Sequence, residues 1–427
     1  MRNAPGATEG AHPSMDTLPS THYHSSFVRD FNRRMRDAAP IDLAESELLA
    51  NARKETGLAD FGDESFLPAL RALLKSLESE AELNPFGRFV ARSRALSALK
   101  NRLWAEACFA AHPEIKQRKL PAPIVIIGPH RSGTTRLHGM MAADTRLRHL
   151  KTWEGINPAP RSAQAEGDDP VRYREVEQML EARGDIYPGA YLAHPMRADW
   201  PEEEMLLLNQ SFCGFSPLGL YHVPSYYRWF LDDDKIAGYR YMADLMKLIS
   251  WSRNEADDRR WVLKNPQHMM NLDVLLKVFP DARLVFSHRD PLKTVGSTLS
   301  LMWYYSVQHT DSPCRARVRD IWLDFCEQAA RRGMRLREGI PAAQQFDVHY
   351  AEMNKQWRQV MRGVYDFSGI EFDAQTEAAM AAWLERSERE KTHGGHRYSL
   401  KDFGTNRDEV DARMMFVRQK YGIPYEN

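Results

Sequence analysis

From Asp42 to His112 apolar residues recur at three- and four-residue steps. Phe66, Leu70, Leu73, Leu74 and Leu77 share one helical face, and Phe89 to Phe109 repeats the pattern. The spacing predicts helices packed on a core, without chemistry of their own. The texture changes at Pro121. Pro123-Ile-Val-Ile-Ile-Gly128 is a β-branched run between a proline and a glycine, the pattern of a buried strand, and Leu137, Met140 and Met141 follow at helical spacing. Trp261-Val-Leu-Lys264 predicts a second strand, with Met269, Leu272, Leu275, Leu276 and Phe279 along one side of the helix after it. Arg283 to Ser287 predicts a third. It leads into a helix bearing Val295, Leu299 and Met302, with Asp290 as its cap and Pro291 in its first turn. Phe346 to Tyr350 predicts a fourth strand, and a helix runs towards Phe367. Alternation of strand and helix argues for an α/β fold: a parallel sheet flanked by helices, with helical insertions. The pattern divides the chain into a disordered tail over 1–25, an N-terminal helical extension over 26–120, and an α/β domain over 121–427 with an insertion at 155–258.

Composition narrows the classes. Among 427 residues, 58 lysines and arginines balance 58 aspartates and glutamates, so net charge gives no reason to expect nucleic acid as a partner. Cys108, Cys213, Cys314 and Cys326 have neither metal-ligand nor paired spacing, which suits reduced thiols in a cytoplasm. Residues 1–25 lack the apolar core of a signal peptide, and no run of eighteen apolar residues predicts a membrane span. The expectation is a soluble, cytoplasmic protein.

The first candidate for chemistry is Gly128-Pro-His-Arg-Ser-Gly-Thr-Thr135, between the first strand and its helix. Glycines let backbone approach a phosphate closely, and a helix N-terminus aims unpaired N–H groups and a positive dipole at it. Arg131 adds a planar fork for anionic oxygens; Ser132, Thr134 and Thr135 add hydroxyls. The spacing is that of a nucleotide-binding P-loop, but Thr134 stands where an NTPase has its lysine, which counts against an ATPase or nucleotide kinase.

Arg131-Ser-Gly-Thr-Thr135 resembles the 5′-phosphosulfate loop of the PAPS-dependent sulfotransferases. Many animal cytosolic members carry lysine at the position of Arg131; many bacterial and tyrosylprotein-type members carry arginine. His288-Arg-Asp-Pro291 with Ser297 resembles the family's 3′-phosphate motif, in which the arginine and the serine hold the phosphate that distinguishes PAPS from ATP. Phe279 to Pro291, Leu263-Lys-Asn-Pro-Gln-His268 and His396-Arg-Tyr-Ser-Leu-Lys-Asp-Phe-Gly404 resemble the bacterial branch. The resemblance runs from about Pro121 to the C-terminus. It implies a P-loop-like α/β fold, PAPS as donor with PAP as product, no metal, and a small-molecule hydroxyl as acceptor. The donor contacts it implies are Arg131, Ser132, Gly133, Thr134, Thr135, Arg289 and Ser297. A basic, glycine-containing lid around Lys391, His393, His396 and Arg397 is also implied, although this stretch lacks the animal family's Arg-Lys-Gly signature.

Sulfuryl transfer needs in-line geometry, stabilised charge on the transferring group, and a base for the acceptor's proton. Arg131 is the expected stabiliser of the leaving phosphate. Lys264 resembles the lysine that tyrosylprotein sulfotransferases place beside the transferring group; its alternative is a strand-end ion pair. For the base, Glu154 in Lys151-Thr-Trp-Glu-Gly155 matches a glutamate of related enzymes, and an apolar wall at Trp153 would raise its pKa. His268 and His194 are its rivals, either of which can instead be a satisfied core histidine. Phe212, Phe215, Leu218, Leu220, Tyr221, Tyr226, Tyr227, Trp229 and Phe230 either line a pocket for an apolar or aromatic acceptor or form core beneath helices. Pro201-Glu-Glu-Glu204 reads as an acidic helix start. A P-loop NTPase or nucleotide kinase, and a non-catalytic nucleotide-binding protein, are the alternatives to a transferase.

Overall fold

In a computed structural model, residues 22–163, 169–389 and 398–426 are described. Four parallel strands, β1 (Ile124–Ile127), β2 (Val262–Lys264), β3 (Arg283–His288) and β4 (Gln345–His349), form one sheet in the order β2-β1-β3-β4. Each falls within a residue of its expected place. β1 is fully buried because neighbours pair with it on both sides, Val125 opposite Leu263 and Leu284. That double burial explains why the strand reads as an unbroken β-branched run rather than an alternating one.

Alternate residues feed two cores. Ile124, Ile126, Val262 and Val285 pack with Leu137, Met140 and Met141 of the helix after β1, and with Met361 and Tyr365. Val125, Ile127, Leu263 and Leu284 pack on the other face with Met242, Met246 and Ile249 of the Ile236–Ser252 helix. The P-loop-like α/β expectation therefore holds.

The largest apolar cluster lies outside the sheet. Leu70, Leu74 and Leu99 of the N-terminal helices share it with Phe215, Tyr226, Phe230, Trp322 and Phe325. Phe212, Phe215, Leu218, Tyr221, Tyr226, Tyr227 and Phe230 are all buried there. Of the two readings of the aromatic segment, these seven residues take the core one, although Leu218, Leu220 and Tyr221 also line a small cavity. The N-terminal helices cover the segment.

Two further corrections concern boundaries. The expected tail reaches residue 25, but Tyr23 packs edge-on to Trp303, and His24 is buried with its Nε2 2.9 Å from the Thr310 carbonyl. These side chains supply apolar and polar contacts for residues 22–25, while residues 1–21 of the expected tail lie outside the described residues. The helix after β2 begins as a 3-10 turn over Pro266–Met270 before Leu272–Val278, and Asn265 caps the turn through the Gln267 N–H, 2.9 Å away. Asp290 caps the helix Pro291–Ser306 as expected, accepting from the Leu292 N–H at 3.0 Å.

Candidate active site

Where β1 ends, the chain turns through Gly128–Gly133 into the helix Thr134–Ala142. Gly128 is required sterically: a Cβ there would lie 2.9 Å from the Ser287 carbonyl and 2.8 Å from Ser132 Oγ. Gly133 occupies the N-cap with φ +91° and offers no capping side chain, while its carbonyl accepts from the Arg136 N–H at 3.0 Å. The Ser132 hydroxyl braces the loop, donating to the Pro129 carbonyl at 2.8 Å, while Ser287 Oγ donates to the Ser132 carbonyl at 2.8 Å. Thr134 is buried and Thr135 exposed.

Arg131 joins the two expected donor motifs. Its Nε donates to Ser297 Oγ at 3.1 Å, and its carbonyl accepts from Arg289 Nη1 at 2.8 Å. Its Nη1 donates to the Ala193 carbonyl at 3.0 Å, so the short helix Pro188–Ala193 reaches the same point. Burial, and then the charge of Arg289, lower the proton affinity of this guanidinium. Arg289 lies over the Tyr350 ring, 3.9 Å from its centroid, and pairs with Glu426 at 2.9 Å. The same ring closes on the loop, 2.6 Å from where a Cβ of Gly133 would sit. Tyr398 packs against Gly296 and donates to the Lys293 carbonyl at 3.0 Å, which brings the late string onto the Pro291–Ser306 helix. Lys391, His393, His396 and Arg397 lie outside the described residues.

At the end of β2, Lys264 is almost wholly buried. Its Nζ pairs with Glu203, and its backbone N–H donates to Glu204 Oε2 at 2.8 Å. Residues 201–204 lead into the helix Met205–Leu208 with Glu204 at its N-cap, but Pro201 lies outside the first turn, pinned by a bridge to Lys151. The segment points its three carboxylates at separate partners: Glu202 at His194 Nε2, 3.8 Å away, Glu203 at Lys264, Glu204 at His268. Burial pushes the Glu203 carboxyl up, and the neighbouring Glu202 adds to this against the pull of Lys264. Burial acts on Glu202 too, but His194 and Lys264 outweigh it and hold that carboxyl at about 2.

The rivals for the base are placed differently. His268 is fully buried; its Nε2 donates to Glu204, and its Nδ1 accepts from the Tyr239 hydroxyl at 2.8 Å. Glu154 is buried with both oxygens engaged, by Arg253 (Nε 2.7 Å) and by the Lys151 N–H (2.9 Å). It caps its own helix and ties it to the Ile236–Ser252 helix, and the expected apolar wall is replaced by this ion pair. His130, in the loop, is packed edge-on to Phe215 and Trp322; burial, then Lys264 and Arg131, push it down to about 3, so it stays neutral.

Residues 123–374 match the model of the sulfotransferase family. The chain belongs to this family. Sulfotransferase STF1 of Mycobacterium tuberculosis H37Rv superposes with a TM-score of 0.74 and 30% identity, covering 87% of this chain and 99% of its own. Sulfotransferase STF9 of Mycobacterium avium gives 0.79 and 26%, covering 90% and 98%. The omega-hydroxy-beta-dihydromenaquinone-9 sulfotransferases Stf3 of Mycobacterium bovis and M. tuberculosis are 23% identical over 252 residues, 58% of this chain. The matched stretch spans 63% of the length of those relatives. These likenesses agree with the bacterial-type resemblance of the motifs.

Within the sulfotransferase frame, sequence reasoning passed over Tyr350 and Glu426, and read Glu203 only as part of an acidic helix start. Tyr350 had a signal: it directly follows β4 at the carboxyl edge of the sheet, where ligands of open α/β folds bind. Glu203 and Glu426 had none, because their partners are distant in the chain. Among the described residues, no three His, Cys, Asp or Glu side chains gather as metal ligands, and no helix is long and apolar enough to cross a membrane.

Proposed function

We propose that this sulfotransferase moves the sulfuryl group of PAPS to a hydroxyl of a small apolar molecule. The observation that carries the reading is the junction at Arg131, whose side chain meets Ser297 while its carbonyl is held by Arg289. Two anion-binding motifs 158 residues apart (Arg131 and Arg289) thereby form one surface. In this reading Arg131, Ser132, Gly133, Thr134 and Thr135 hold the 5′-phosphosulfate against the helix N-terminus, and Arg289 with Ser297 holds the 3′-phosphate. Tyr350 keeps Arg289 and the loop in register.

Lys264 and Arg131 stabilise charge on the sulfuryl oxygens and on the leaving phosphate, doing by fixed cations what a metal does elsewhere. Glu203 is the base that the geometry favours, in place of Glu154 and His268. It takes the acceptor's proton as the acceptor oxygen bonds to sulfur and the bond from sulfur to the 5′-phosphate oxygen breaks. His194 with Glu202 flanks the same spot. An apolar alcohol fits the name of the Stf3 relatives, omega-hydroxy-beta-dihydromenaquinone-9 sulfotransferases. Four free cysteines fit a cytoplasmic setting.

The test is transfer of labelled sulfate from PAPS to a panel of hydroxylated quinones, long-chain alcohols and phenols, without added metal. Labelled product that disappears in Arg289→Ala is the expected result. No transfer to any acceptor, together with equal binding of PAP and AMP by calorimetry, would remove the assignment.

A further inference from the structure

The fork of Arg289 is already filled. Its Nη1 donates to the Arg131 carbonyl at 2.8 Å, and its flat face rests on Tyr350. The remaining edge, Nε with Nη2, is the one shaped for a bidentate anion. The carboxylate of Glu426 sits on it, with Nε 3.1 Å from each oxygen and Nη2 2.9 Å from Oε2.

This carboxylate is delivered by a segment anchored through its backbone. The helix Arg407–Tyr421 ends at Gly422, and the Arg418 guanidinium pairs with Asp290 at 2.6 Å. The Glu426 N–H donates to the other Asp290 oxygen at 2.7 Å, and the Tyr425 ring lies on Arg418. Asp290 is the residue next to Arg289, so the segment docks at the same strand tip. Its backbone is fixed there, while the Glu426 side chain, about a quarter exposed, has room to turn away.

We propose that Glu426 is an internal stand-in for the donor's 3′-phosphate: the nucleotide must displace its carboxylate from Arg289 to bind, and the carboxylate returns as PAP leaves. The proposal rests on the assignment of Arg289 to the 3′-phosphate. Two anions cannot share one guanidinium edge, and a carboxylate beside a phosphate dianion repels it. Glu426 therefore weakens nucleotide binding and speeds product release. In the resting protein it keeps Arg289 aligned on Tyr350 and the loop. It is a positioning residue, since in this scheme it never touches the reacting atoms.

The experiment is calorimetric titration of PAP and AMP into wild type, Glu426→Gln, Arg289→Ala and the double variant. Glu426→Gln keeps the side-chain shape and the backbone N–H to Asp290, and its melting temperature confirms folding. It should bind PAP roughly two- to fivefold more tightly, the range for loss of a competing ion pair that is about a quarter exposed, with AMP unchanged. The double variant should bind PAP no better than Arg289→Ala. PAP binding that is lost in Arg289→Ala but unchanged or weaker in Glu426→Gln overturns this inference and leaves the donor assignment standing. Failure of PAP to bind wild type and Glu426→Gln alike removes both.

Discussion

Glu203 has the Lys264 amine on one side and Glu202 next to it in the chain, and these neighbours set how the site responds to pH. A base acts only when deprotonated. Because burial, and Glu202 with it, raise the Glu203 carboxyl against the pull of Lys264, activity is expected to fall as pH drops through a midpoint raised from the ordinary glutamate value. Glu203→Gln is expected to lower kcat about 10²- to 10⁴-fold and to flatten that acid limb, with little change in KM for the donor. A pH–rate profile checks it; an unchanged limb would return the role to another group. The cations of the site were legible because Arg131 and Arg289 each follow a strand, in a motif readable within ten residues. The base was not. Glu154 has the right local string, yet its carboxylate is consumed by Arg253 just past the end of a helix 99 residues on, a pairing that no local pattern encodes.

The elements were legible nearly to the residue, since each strand is a short β-branched run and Asp290-Pro291 is a strong helix start. What local pattern could not show is that Asp290 serves three partners. It caps the Pro291–Ser306 helix, accepts from Arg418 and holds the Glu426 N–H, all while fully buried. Asp290→Ala therefore leaves the buried Arg418 guanidinium with only the more distant Asp411, 3.5 Å away, as its anion. We expect a loss of about 3–5 kcal/mol in denaturant unfolding, the usual cost of breaking a buried pair from one side. A loss under about 1 kcal/mol would mean that Arg418 finds another partner, because an exposed pair is worth only that. The same variant should weaken PAP binding, since the cap that aims the strand tip at the donor is gone.

At the scale of the whole molecule, a boundary at residue 120 divides the chain by composition but not by packing. Leu70, Leu74 and Leu99 bury Phe215, Tyr226 and Phe325, so the two stretches share one core. A chain beginning at Pro121 would expose that aromatic surface, and we expect it to be insoluble or to lack a cooperative thermal transition. A soluble fragment with a sharp transition would show that the helices are a detachable cover. The parallel sheet has a further consequence. Every strand runs the same way, so the residues of the site collect at one rim, while the opposite rim, with Asp281 and Ala343, meets solvent. The molecule is chemically one-sided. Tethered to a support through Ala343→Cys, it should retain its turnover, because the surface it turns to the matrix does no chemistry.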